Sequence, residues 1–202
     1  MYGYYPIQYN HYYFRQETQW IWTPSKVELN RKLRALWEQH IYWTRLTVNS
    51  IVGKLPDVEP TTNRLLRNPD DFAAVLSVYY GPELASDFAK LFREHLTIAA
   101  ELTTQLRDGK TKEAAETEKR WYANADAIAA FLARINPYWS QKEWQQMLYE
   151  HLKLLTEEVA ARIAGDYVKN VATNMEIEPQ ALEMADMMTT GIVQQFPGSF
   201  VH

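Results

Sequence analysis

The sequence predicts an all-α fold: a four-helix bundle with a helical crossover between helices 1 and 2 and a C-terminal helical cap. Three observations predict it. Apolar residues recur every three or four positions over long stretches, the period of a helix with one buried face. Only 7 glycines stand among 202 residues, too few for a loop-rich β protein. Two of the apolar stretches open on Ser-x-x-Glu, in which each side chain satisfies the other's unpaired backbone N–H. A chain of this length suits one domain, burying on the order of 70% of its unfolded surface without crosslinks.

Residues 1–23 differ from the rest. Seven of the first fourteen are Tyr or Phe. They read either as an extended arm laying its rings on the bundle or on a second copy, which would make a homo-oligomer, or as an adhesive tail of an assembly. The bundle domain is assigned to residues 24–202. Its first long helix opens at Ser25-Lys26-Val27-Glu28, carries the stripe Leu29, Leu33, Leu36, Trp37, His40, Thr44, Thr47, Val48 and Ile51, and closes at Gly53 and Pro56.

Residues 54–81 hold Pro56, Pro60, Pro69 and the polar turn around Asn68, and predict a crossover of short helices ending at Gly81. The second long helix then starts at Pro82, in the favoured first-turn position, with His95 on its stripe between Leu91 and Ile98. A tight turn at residues 107–111 sends the third helix back antiparallel, with Thr111 as its cap and Trp121, Ala125 and Ile128 buried. Ser140-Gln141-Lys142-Glu143 opens the fourth, whose stripe holds Trp144, Leu148, His151, Leu155 and Val159. A short helical stretch from Asp166 and a Met-rich one from Pro179 to Gln195 form the cap.

Composition excludes several functions. The formal net charge is −4 with acids and bases interspersed, so no basic stripe is available to neutralise nucleic-acid phosphates. There is no cysteine, which rules out disulfides, thiolate metal sites and a thiol nucleophile. No stretch has the ~18 continuous apolar residues of a membrane span, and the N-terminus does not read as a secretion signal, so the expected location is cytoplasmic with no membrane partner. No Gly-x-Ser-x-Gly, His-Glu-x-x-His or phosphate-cradling glycine loop occurs, so no catalytic residue is assigned and no nucleotide is expected. Arg64 and Arg67 read as surface salt-bridge residues.

The informative constellation is His40, His95 and His151, one on the apolar stripe of each of three long helices and near its middle. Residues equidistant from a tight antiparallel turn lie at one height. The turn near residue 109 therefore sets His95 opposite Asn124, and the turn near 138 sets Asn124 level with His151. His40 and Thr44 join that layer if the first helix packs in register. Unpaired imidazole is expensive in a bundle interior, so the three rings need hydrogen-bond partners or a metal. Two readings stay open: a structural polar layer, or a site for a divalent zinc, iron or nickel ion held by three neutral imidazoles plus water. The neighbouring Glu38, Glu94 and Glu150 point to other faces of their helices.

The segments Leu36-Trp37-Glu38-Gln39-His40, Thr62-Asn63-Arg64-Leu65-Leu66-Arg67-Asn68-Pro69, Lys119-Arg120-Trp121-Tyr122-Ala123-Asn124-Ala125-Asp126, Ile135-Asn136-Pro137-Tyr138-Trp139-Ser140 and Met184-Ala185-Asp186-Met187-Met188 resemble a family of uncharacterised helical proteins from spore-forming bacteria. The resemblance implies a spore-associated cytoplasmic protein, with a structural or interaction role in a spore or cell assembly as the alternative to metal binding. Some members carry the label acetylglutamate kinase, which needs an α/β sheet with glycine-rich phosphate loops that this sequence does not offer. In layout alone, one mid-helix histidine on each of three helices is similar to the DinB-like bundles. Their histidine triad binds a divalent metal and in some members supports thiol transfer, which implies a metal on His40, His95 and His151 and no particular reaction.

Overall fold

The computed structural model describes residues 22–201, and these form α-helices and a single 3-10 turn with no strand. The aromatic arm, and with it the expected contact to a second copy, lies outside the described residues except for Trp22 and Thr23. The helices are α1 (Pro24–Gly53), α2 (Val58–Leu65), α3 (Asn68–Arg107), α4 (Thr111–Ile135), α5 (Gln141–Ile163) and α6 (Tyr167–Gln195), followed by the 3-10 turn Pro197–Phe200.

Thr23, rather than Ser25, caps α1: its hydroxyl accepts from the Lys26 N–H, and Pro24 occupies the first turn, where no donor is missed. The Thr23 hydroxyl also donates to the Phe200 carbonyl, at 2.9 Å, tying the start of the helical domain to its end. The crossover contains α2 and the first arm of α3. The second long helix does not begin at Pro82, because the chain is already helical from Asn68 and is kinked at Gly81, whose φ of 79° belongs to the left-handed region that favours glycine. Pro82 lacks the N–H that would bridge the kink. Thr111 is the first residue of α4 and makes no side-chain cap, whereas Ser140 caps α5 by accepting from the Glu143 N–H at 3.3 Å.

The largest departure from expectation is α6. It is one helix of 29 residues that runs through Pro179, in place of two short pieces forming a cap. Proline removes one backbone donor from a helix, but the buried stripe Ile177, Ala181, Met184, Ala185, Met188 and Ile192 continues unbroken past it and holds both halves to the core. Five long helices therefore close a ring in which α1 packs on α3, α3 on α4, α4 on α5, α5 on α6 and α6 back on α1. Gly191 makes one of these approaches possible: a Cβ there would lie 2.0 Å from the indole nitrogen of Trp139, which donates to the Met187 carbonyl. Among the described residues no helix is long and apolar enough to cross a membrane.

Candidate functional site: a three-histidine cavity

The ring brings His40 of α1, His95 of α3 and His151 of α5 to one small cavity of about 20 Å³, together with Thr44, Thr47 and Trp121. Each imidazole is only 3–4% exposed. The ring centroids of His40 and His151 are 5.6 Å apart. Phe92 stacks at 5.2 Å from His40 and 6.3 Å from His95, one turn along α3, and Trp121 of α4 packs 5.3 Å from His95.

One hydrogen-bonding scheme recurs at the three histidines. At His95, Nδ1 lies 2.9 Å from Asn124 Oδ1, while Asn124 Nδ2 donates to the Leu91 carbonyl at 3.1 Å and also reaches Glu94 Oε2. At His151, Nδ1 lies 2.9 Å from Gln180 Oε1, and Gln180 Nε2 donates to the Met147 carbonyl at 2.8 Å. At His40, Asn68 Nδ2 donates to the Leu36 carbonyl at 3.0 Å and its oxygen is beside His40 Nδ1. That last contact is the looser one. Asn68 interacts with the ring, yet His40 Nδ1 and Asn68 Oδ1 are both sealed from solvent without good hydrogen-bond geometry.

In every case the carbonyl lies four residues before the histidine, so it is the helical acceptor of that histidine's own backbone N–H. The amides come from the start of α3, from α4 and from α6, each facing a histidine on a neighbouring helix.

This scheme assigns the protons. At His95 and His151 the amide nitrogen is committed to a carbonyl, so the amide oxygen facing the ring can only accept, and the proton of the neutral imidazole belongs on Nδ1. Nε2 is thereby left as a bare lone pair on His95 and His151. No hydrogen bond among the described residues engages it.

Burial holds the rings neutral. It is the largest influence on all three: it lowers His95 to about 4, lowers His151, and with the nearby His151 and His95 takes His40 well below the ordinary value. The asparagine and glutamine partners offset part of that fall.

The cavity wall is otherwise apolar, from Val48, Ile51, Leu65, Leu96, Ala99 and Leu155 among others. The hydroxyls of Thr44 and Thr47 and the indole N–H of Trp121 are sealed with no partner among the described residues. Glu38, Glu94 and Glu150 are solvent-facing, as their spacing implied. Arg67 pairs with Asp71 at 3.4 Å, but Arg64 lies over the Trp43 ring and binds Gln39 instead of forming an ion pair.

Among the described residues no three His, Asp or Glu side chains already stand in metal-holding geometry. The rings share a cavity but do not close on a point. Their donor chemistry fits a divalent ion of borderline softness: three neutral imidazoles, two of which, His95 and His151, have the second nitrogen anchored as at protein metal sites generally.

Asn68 and Gln180 were not among the residues the sequence singled out as site residues. Asn124 and Thr44 were; the first bonds to His95 and the second lines the cavity. No protein-family model, curated protein or solved structure matches this chain.

Proposed function

We propose that the protein binds one divalent metal ion on Nε2 of His40, His95 and His151, with Asn68, Asn124 and Gln180 holding the three rings in the required tautomer. The observation that carries this reading is that three buried, neutral imidazoles line one cavity, two of them, His95 and His151, anchored at Nδ1 by an amide oxygen so that Nε2 is left as the free acceptor. Acceptors without a donor are unfavourable in an interior, and an electrophile satisfies them together. The ring centroids of His40 and His151 are 5.6 Å apart, and binding would require all three rings to close on one point. An ion with three protein ligands keeps a coordination position for water or a small molecule and supplies Lewis-acid chemistry there.

The layout similarity to DinB-like bundles supports the same reading. The alternative is a purely structural histidine layer, in which Thr44, Thr47, Trp121 or a buried water supplies the donors to Nε2.

The test is a calorimetric titration of untagged, metal-stripped protein with Zn²⁺ at neutral pH. One equivalent is expected to bind. His95→Ala and His151→Ala should each remove saturable binding, while His11→Ala and His202→Ala leave it intact. Binding that survives the loss of His95 would overturn the proposal.

A further inference from the structure

The first half of α6 reverses the usual pattern of a surface helix. Its inward face is Asn170, Thr173, Ile177 and Ala181, all buried. The opposite line, which on a surface helix normally carries polar and charged residues, is Val168, Ala172, Met175 and Pro179, all exposed. Val168 is 83% exposed and Met175 71%. Past Gln180 the same line turns polar, with Glu183, Asp186 and Thr190 exposed. Of the twelve large apolar side chains exposed among the described residues, five (Ile163, Tyr167, Val168, Val171 and Met175) lie between positions 163 and 175, so the apolar exposure is concentrated here rather than scattered.

The charges beside this line point to its occupant. Lys169 and Glu176 are exposed and stand two turns apart on one flank of it. Neither side chain belongs to an ion pair among the described residues. A second copy of the helix, running antiparallel and related by a two-fold axis at Ala172, presents the same flank in reverse order. Lys169 then falls beside Glu176 of the partner subunit, and Val168 beside Met175 of the partner subunit. Ala172 meets its own counterpart, and its small side chain lets the two backbones approach. All three pairings share one centre. A parallel pairing would set lysine against lysine and glutamate against glutamate.

We infer that the first half of α6 is a homodimer interface. Two copies pair antiparallel across Val168, Ala172, Met175 and Pro179, with an ion pair between Lys169 and Glu176 formed twice along one edge. The pairing is independent of the metal centre. A contact made by half of one helix is at the low end of specific interfaces, so the dimer is reversible and its population rises with concentration.

The experiment is sedimentation velocity on the full-length protein at rising concentration, which should show monomer giving way to dimer. Met175→Asp places a carboxylate within the apolar face twice per dimer and should abolish the association. Lys169→Glu and Glu176→Lys each turn both ion pairs into repulsions and should each weaken the dimer about tenfold, while the two together restore it. The three positions are exposed, and circular dichroism checks that every variant folds. Monomer alone at every concentration would overturn the inference and leave the face to a different partner. A dimer indifferent to Met175→Asp is held elsewhere on the molecule, the aromatic arm included, and would overturn it too. So would single charge reversals that the double variant does not rescue.

Discussion

Two buried polar clusters share α1 and α5 but differ in whether they are complete. In the first, Glu158 is 1% exposed and its carboxylate takes the Arg45 guanidinium at 2.7 Å. Asn170 donates to the Glu158 carbonyl at 3.0 Å and accepts from the other arm of Arg45. That cluster answers its own charges. The histidine layer, two turns away along α5, is closed at Nδ1 of His95 and His151, unanswered at Nδ1 of His40, and open on its Nε2 side among the described residues. Burial alone therefore does not mark a site; unanswered hydrogen-bonding capacity facing a shared space does.

If the first cluster is purely structural, breaking it should cost stability and nothing else. Arg45→Met strands the buried Glu158 carboxylate and should lower unfolding free energy by about 3 kcal/mol at neutral pH. Burial already pushes Glu158 upward in pKa against the pull of Arg45. In the variant the carboxyl should take up a proton more readily, so its deficit should shrink as pH falls. Urea denaturation across pH reads both effects, and zinc affinity should not change.

The histidine layer should respond to acid in the wild type. A group whose folded pKa lies below its unfolded value contributes stability that is present above the unfolded pKa and lost as pH falls toward the folded one. For His95 that window runs from the ordinary 6.5 down to about 4 and corresponds to about 3 kcal/mol. Metal-free protein should thus lose stability below about pH 6, and His95→Phe should flatten that part of the profile. The same lowered values keep the rings available to a metal in mild acid. Zinc should stabilise the wild type by about 2.7 kcal/mol at a hundredfold excess over Kd, and His151→Ala not at all.

Most of this layer was legible before any coordinates. Apolar periodicity put His40, His95 and His151 on buried stripes, and distance from the turn near residue 109 set His95 opposite Asn124. Both inferences use only the rise of a helix and the tightness of a turn. Asn68 was hidden because Asn-Pro reads as a polar turn, while in the structure it begins α3 and is fully buried. Gln180 was hidden by Pro179. Proline suggested a helix break, so the equal-height rule was not carried around Gly165, where it sets residue 179 opposite His151. The orientation of each ring was beyond sequence, because it depends on amides from neighbouring helices.

Those amides separate the clusters once more, with a smaller effect. Gln180→Leu and Asn124→Leu remove the anchor of one ring without touching a metal ligand, and should weaken zinc about 10- to 100-fold. Asn170→Leu, in the self-contained cluster, should destabilise the protein without weakening zinc. Competition titrations against a chromophoric chelator distinguish the two classes.

The most direct measurement is X-ray absorption at the zinc edge on untagged, zinc-loaded protein. It should show three imidazole nitrogens at about 2.0 Å with one further light-atom ligand. A shell of oxygens alone, fewer than two imidazoles, or no retained zinc would contradict a metal centre at His40, His95 and His151.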